Sequence, residues 1–76
     1  MDHELRINAR GLSAPGPRLM VDSALAGLER PASIRVVVSS QGAADDLREF
    51  LTTGGARVEI DVVGSEFHVL AHFPRD

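Results

Sequence analysis

The 76-residue chain contains no cysteine, no tryptophan and no tyrosine. Without cysteine it can form no disulfide, no thiolate metal site and no thiol nucleophile. Without tryptophan and tyrosine it lacks the large aromatic side chains that commonly stack on nucleic-acid bases. Its net charge of −3 also argues against broad nucleic-acid binding, which needs a basic surface. The chain is nevertheless 43% hydrophobic, so it predicts one globular domain over residues 1–76 with an aliphatic core.

Long hydrophobic runs are missing as well. The uncharged stretch near the start, Gly11 to Pro17, is short and rich in proline and glycine. It is too short for a membrane span and has the wrong composition for a signal peptide. We therefore expect no membrane association and, by default, a cytoplasmic location.

The hydrophobic pattern predicts six elements in the order β-α-β-α-β-β. Alternation with a period of two predicts strands near residues 4–9, 33–39, 57–62 and 67–73. A stripe of Met20, Ala24 and Leu28 predicts a first helix that begins at Pro15 and ends before Pro31. Met20 is accordingly expected in the core.

The second helix is predicted from about Gly42 to Thr53, with an apolar face that includes Leu47 and Leu51. Asp45 and Asp46 are expected in its first turn, where carboxylates suit the positive end of the helix dipole. This placement explains the two aspartates without any catalytic role. Each strand has one clearly apolar side, so the pattern predicts an α+β fold with both helices on one face of a single sheet.

The segment at the predicted start of the first helix has a distinctive order, Gly11-Leu12-Ser13-Ala14-Pro15-Gly16-Pro17. It resembles the TusA/SirA-like sulfur-carrier family, whose first helix opens with Gly-Leu-x-Cys-Pro-x-Pro. The motif residues Gly11, Leu12, Ser13, Pro15 and Pro17 fit this pattern, and Ala14 stands where the family has cysteine. The resemblance extends from about Leu5 to Phe73.

The resemblance implies a two-layer α/β sandwich with two helices against a four-stranded mixed sheet. It also implies relay of sulfur as a cysteine persulfide without a cofactor. The expected partners are a cysteine desulfurase or rhodanese-like donor and a DsrE-type acceptor, rather than nucleic acid or a membrane. The family's acidic pair after the second strand is absent, since Ser39, Ser40 and Gln41 follow that strand.

Position 14 is the catalytic position that the resemblance implies. A cysteine just before a helix start would have a lowered thiol pKa, because the positive end of the dipole favours the thiolate. Ala14 has only a methyl group, so the chain as written is expected to be inactive in transfer. Two explanations are open: an engineered cysteine-to-alanine change, or a natural cysteine-less paralogue. Alanine is a poor helix cap, and natural drift from cysteine could easily have reached the better cap serine, so alanine slightly favours engineering.

Several charged residues outside the motif have competing interpretations. Arg10 and Arg18 flank the motif and are candidate contacts to anionic sulfur or to a partner, or else solvated charges. His68 and His72 would lie about 13 Å apart on a strand, so they are expected to be solvent-facing and to bind no metal. The alternative function is a non-catalytic interaction or regulatory module on the same fold. A nucleic-acid-binding role has only fold analogy in its favour, and the charge opposes it.

Overall fold

The computed structural model describes residues 4–75, so the two ends of the predicted domain, residues 1–3 and 76, lie outside the described part. The elements follow the predicted order β-α-β-α-β-β. They are β1 (Glu4–Asn8), α1 (Gly16–Leu25), β2 (Ala32–Val38), α2 (Gln41–Thr53), β3 (Arg57–Val63) and β4 (Glu66–Phe73).

The four strands form one mixed sheet in the order β1-β2-β4-β3. The β1–β2 pair is parallel, because α1 returns the chain to the same end of the sheet before β2 begins. The β2–β4 and β3–β4 pairs are antiparallel, and the Gly64-Ser65 turn joins β3 directly to β4. The fold class predicted from the sequence is therefore confirmed.

Both helices cover the same face of the sheet, since α1 contacts α2 and both contact β2. The core between these layers is aliphatic, and its largest fully buried side chains include Ile34, Val36, Leu47, Leu51 and Val69. Within residues 4–75, no helix covers the opposite side of the sheet, and we call this side the open face. By the strand register and the alternation of side chains, it presents Glu4, Arg6, Asn8, Ser33, Arg35, Val37, Arg57, Glu59, Asp61, Val63, Glu66, His68, Leu70 and His72.

Helix α1 is shorter than predicted and buries a different row of side chains. It ends at Leu25, so Leu28 lies beyond it in the connection to β2. Its buried residues are Pro17 and Val21, whereas Met20 is 39% exposed. The prediction that Met20 belongs to the core is wrong. Two rows of apolar residues four apart run along this helix, and only the packing against β2 and α2 decides which row is buried.

Helix α2 starts earlier than predicted. Ser40 is its N-cap, and the Ser40 Oγ accepts a hydrogen bond of 3.2 Å from the Ala43 N–H. Because the helix begins at Gln41, Asp45 and Asp46 lie in the second turn, and the expected placement in the first turn is wrong. The hydroxyl cap supplies the acceptor for the unpaired N–H groups of the helix start, so no carboxylate is needed there.

Candidate functional site

The connection from β1 to α1 contains the motif and is held by backbone contacts. The Ala9 N–H donates to the Val37 carbonyl at 2.9 Å, which extends the β1–β2 ladder by one residue. Gly11 has a φ of +80°, a conformation that glycine adopts at little cost. Its N–H donates to the Ser39 Oγ at 3.0 Å. These two hydrogen bonds attach the start of the loop to the carboxyl end of β2 and so fix the direction in which the loop leaves the sheet.

Ala14 is exposed and lies just before the helix, at the place where the resemblance puts the reactive cysteine. The N-cap of α1 is Pro15, and no side chain caps this helix. The Ala14–Pro15 peptide bond is cis. Since position 14 is not the cap, the poor capping ability of alanine does not bear on whether the residue is natural or engineered.

The start of α1 offers position 14 fewer hydrogen-bond donors than an ordinary helix start. The Gly16 N–H donates to the Ser13 carbonyl at 2.9 Å, and Pro17, the next residue, has no N–H. A thiolate at position 14 would therefore be favoured by the helix dipole and by exposure to water, and not by hydrogen bonds from the first two helical residues.

Three exposed apolar side chains lie in the motif loop and in the first half of α1. Leu12 is 40% exposed, Leu19 61% and Met20 39%. We call Leu12, Leu19 and Met20 the α1 apolar surface. Leu12 also packs against the helix start, because a Cβ at Gly16 would lie 3.3 Å from the Leu12 Cβ. A glycine at position 16 therefore lets Leu12 approach the first turn closely.

Arg10 points away from the helices and forms a bidentate ion pair with Glu66. Its Nε donates to Oε2, and its Nη2 donates to Oε1 at 3.0 Å. This hydrogen bonding holds the pKa of the Glu66 carboxyl below its usual value and raises the pKa of the Arg10 guanidinium. The pair joins the motif loop to the start of β4, across the end of β2.

Arg18 takes part in a looser ion pair. Its Nε lies 3.8 Å from Asp46 Oδ2, so the pair links α1 to α2. The structure therefore places the two arginines in different surroundings: Arg10 on the open face of the sheet and Arg18 between the helices. Both face carboxylates of the chain itself.

The two histidines of β4 lie on the open face and have separate partners. His72 is exposed, and its Nδ1 is 3.0 Å from the Ser33 Oγ. His68 differs from the solvent-facing residue expected, because its side chain is only 16% exposed and its Nδ1 is 3.0 Å from Arg35 Nη1. Within residues 4–75, no group of three or more acidic or histidine side chains could hold a metal ion.

Two residues that support the loop were missed by the sequence interpretation. Ser39 and Glu66 lie 28 and 56 residues from the groups that they bind. No local pattern signals contacts over such separations. Ser39 attracted notice only because the family's acidic pair is missing there, and the structure gives its hydroxyl a role in holding Gly11.

The fold and the motif loop together define a class: a small two-layer domain that presents position 14 on an exposed loop before its first helix. A family model described as sulfurtransferase TusA matches residues 5–71. The chain belongs to this TusA family, and the resemblance noted from the motif is confirmed. Family and fold together support a sulfur-carrier role in general and, with it, the general kind of partner that takes part in sulfur relay.

The chain is also similar to a solved structure, that of a SirA-like protein from Desulfitobacterium hafniense. The TM-score is 0.83 at 20% sequence identity, and the match covers 93% of this chain and 99% of that one. At this identity the likeness shows the fold. No curated protein matches the chain significantly. Within residues 4–75, neither helix is long and apolar enough to cross a membrane.

Proposed function

We propose that this protein is a one-domain TusA/SirA-like sulfur carrier whose carrier position is residue 14. As written, with Ala14, it docks on relay partners but transfers no sulfur. The observation that supports this most directly is the exposure of Ala14 on a loop that Gly11 and Arg10 anchor to the sheet. The proposed location is the cytoplasm, where a desulfurase or rhodanese-like donor and a DsrE-type acceptor would meet it.

The chemistry at position 14 needs only a thiolate. In an Ala14→Cys variant, the thiolate attacks the terminal sulfur of a donor persulfide. The donor's S–S bond breaks, the donor cysteine leaves as a thiolate, and the carrier holds the persulfide. The step is balanced without an added oxidant. A methyl group at position 14 has no atom that can accept the sulfur.

The test is to load the Ala14→Cys variant with a cysteine desulfurase and free cysteine, and to measure intact mass. We expect the mass to rise by one sulfur atom, and the gain to be lost on reduction. Ser13→Cys is the matched control, because residue 13 is also exposed in the same loop. Absence of added sulfur on the Ala14→Cys variant would refute the carrier proposal. Equal loading of both variants would refute the assignment of position 14.

Arg18 is the flanking arginine better placed to contact a partner. The two side chains are similarly exposed, but the ion pair of Arg18 with Asp46 is long at 3.8 Å, whereas Arg10 is engaged by both oxygens of Glu66. We expect Arg18→Gln to slow the loading of the Ala14→Cys variant and to weaken its dependence on salt. The control is Arg48→Gln on α2, which removes a similar surface ion pair with Asp45. Equal slowing in both variants would remove the specific role of Arg18.

The alternative is a non-catalytic interaction or regulatory module, and the α1 apolar surface beside Ala14 favours it. In that case the Ala14 protein binds its partner with useful affinity and position 14 carries no cysteine in the native gene. Leu19→Ser should then weaken binding to an immobilised desulfurase or DsrE-type protein. Val62→Ser is the control, because Val62 is 67% exposed at the far edge strand. The codon for position 14 in the native gene separates an engineered change from a natural paralogue.

A further inference from the structure

We propose that the open face of the sheet binds a small oxyanion in a depression lined by Arg6, Arg10, Arg35 and His68. The depression has a volume of about 270 Å³. Ile7, Asn8 and Val37 complete its lining, and none of the carboxylates within residues 4–75 belongs to it. This site does not depend on the residue at position 14.

Carboxylates hold the three arginines from outside the depression. One oxygen of Glu4 accepts from Arg6 Nε at 3.3 Å and from Arg35 Nε at 3.1 Å. From the β4 side, Glu66 accepts from Arg10 through both of its carboxylate oxygens. The acidic residues therefore orient the guanidinium groups without filling the space between them.

The arginines keep donors for a ligand. A guanidinium has five N–H donors in a fixed fork. Among the contacts of residues 4–75, Arg6 uses only its Nε, and Arg35 uses its Nε and Nη1. The terminal Nη1 and Nη2 of Arg6 and the Nη2 of Arg35 have no acceptor there. Planar forks of this kind match the geometry of an oxyanion.

His68 positions Arg35. A guanidinium is always protonated, so the Arg35 Nη1 donates to the His68 Nδ1 at 3.0 Å. The Nδ1 is therefore the acceptor, and the ring proton lies on Nε2. The Nε2 is buried without a hydrogen-bond partner, with Glu66 Oε1 3.7 Å away. The ring therefore fixes Arg35 through Nδ1, while its other nitrogen faces the Glu66 carboxylate.

The charge distribution favours an anion at this place. The whole chain has a net charge of −3, yet three guanidinium groups line one depression and only two carboxylates, Glu4 and Glu66, pair with them, which leaves one positive charge in excess. Asp61, the acidic neighbour of His68 across the β3–β4 pair, does not line it. The volume is ample for a tetrahedral ion such as phosphate, sulfate or thiosulfate, and the guanidinium forks match the geometry of such an ion.

The experiment uses the Ala14 protein and three separate titrations, with phosphate, sulfate and thiosulfate, at constant ionic strength. Two-dimensional NMR follows the backbone amides and the arginine Nε–H groups. We expect saturable shifts at Arg6, Arg10 and Arg35 with at least one ion. The preferred ion then shows whether the ligand is a phosphate or a sulfur oxyanion.

Two variants make the test specific. Arg6→Gln should weaken binding about tenfold, the loss expected for one charge-assisted hydrogen bond. Its side chain is 79% exposed, so the fold should persist. Arg57→Gln is the control, since Arg57 lies on the same face but lines a different depression, and its affinity should match the parent. Linear shifts that do not saturate with any ion would overturn the proposal, as would equal losses in both variants.

Discussion

Gly11 offers a sharp test of the loop that presents position 14. Its φ of +80° lies in the left-handed region, where a residue with a Cβ is disfavoured by about 1–2 kcal/mol. A Cβ built at Gly11 meets no atom within 4 Å. Gly11→Ala should therefore lower the free energy of unfolding by about 1–2 kcal/mol through backbone strain alone. Gly11→Asn should cost less, because asparagine enters this region more readily.

Gly42 is the matched control, since it also has open space for a Cβ but lies in the first turn of α2 and has no positive φ. There alanine should be neutral or stabilising by up to about 1 kcal/mol, because glycine is the poorer helix former. The same chemical change is thus expected to have opposite signs at the two positions, for a reason that depends only on the backbone.

The assay is urea unfolding followed by far-ultraviolet circular dichroism, because the chain has no tryptophan or tyrosine for fluorescence. A domain of this size is stable by about 4–11 kcal/mol, so the expected loss is a substantial fraction. With a slope near 1 kcal/mol per molar urea, the midpoint for Gly11→Ala should fall by about 1–2 M. Unchanged stability of Gly11→Ala would show that Gly11 does not adopt the left-handed conformation, and the described geometry of the motif loop would be wrong.

Three further changes test other parts of the structure. Leu47→Ala removes a fully buried side chain, and the free energy of unfolding should fall by about 2–5 kcal/mol in the same assay. Ser40→Ala removes the cap of α2, and the loss should be about 1 kcal/mol. Glu66→Gln should destabilise the protein at neutral pH. Arg10 lowers the folded-state pKa of Glu66 below its ordinary 4.5, so the ionised carboxylate stabilises the parent at neutral pH. As the pH falls through the lowered pKa, the parent loses this stabilisation, and the free energies of unfolding of parent and variant should become equal.

Each of these has its own control. Leu19→Ala changes the same residue type at a 61% exposed position and should alter stability by less than about 0.5 kcal/mol. Ser23→Ala, at an exposed position of α1, should not reproduce the loss seen for Ser40. In an Arg10→Gln background, Glu66→Gln should lose most of its pH-dependent effect, because the hydrogen bond from Arg10 is the largest cause of the lowered pKa of Glu66 and His68 a smaller one. Persistence of that effect without Arg10 would disprove the ion pair as its cause.

Most of the fold could be predicted from local patterns. Alternating residues such as Leu5 and Ile7 have period two whatever surrounds them, and glycine and proline mark the turns. The errors concern which side of a helix is buried and where a helix begins. Met20 and Val21 are equally apolar in the sequence, and the structure buries only Val21. Which of the two is buried depends on how α1 packs over β2 and α2, and the periodicity of a helix gives no information about that packing.

The candidate site also has one part that a local sequence pattern predicts and another part that it does not. The motif around Ala14 is contiguous, so the proposal that position 14 is the carrier position needs only the sequence. The contacts that hold it are not contiguous: Gly11 binds Ser39, and Arg10 binds Glu66. For Arg10 the sequence left two alternatives open, a contact to anionic sulfur or a partner and a solvated charge. Its bidentate pairing with Glu66 follows from a strand order that places β4 beside β2.

The sequence alone shows that the chain has no cysteine, because the residue at position 14 is read directly from it. The order of elements and the family motif were also determined there, since both are local in the chain. Only the tertiary structure decided that position 14 lies outside the helix cap and that Arg6, Arg10 and Arg35 share one depression. These facts arise from strands and loops brought together across long sequence separations, which packing alone determines.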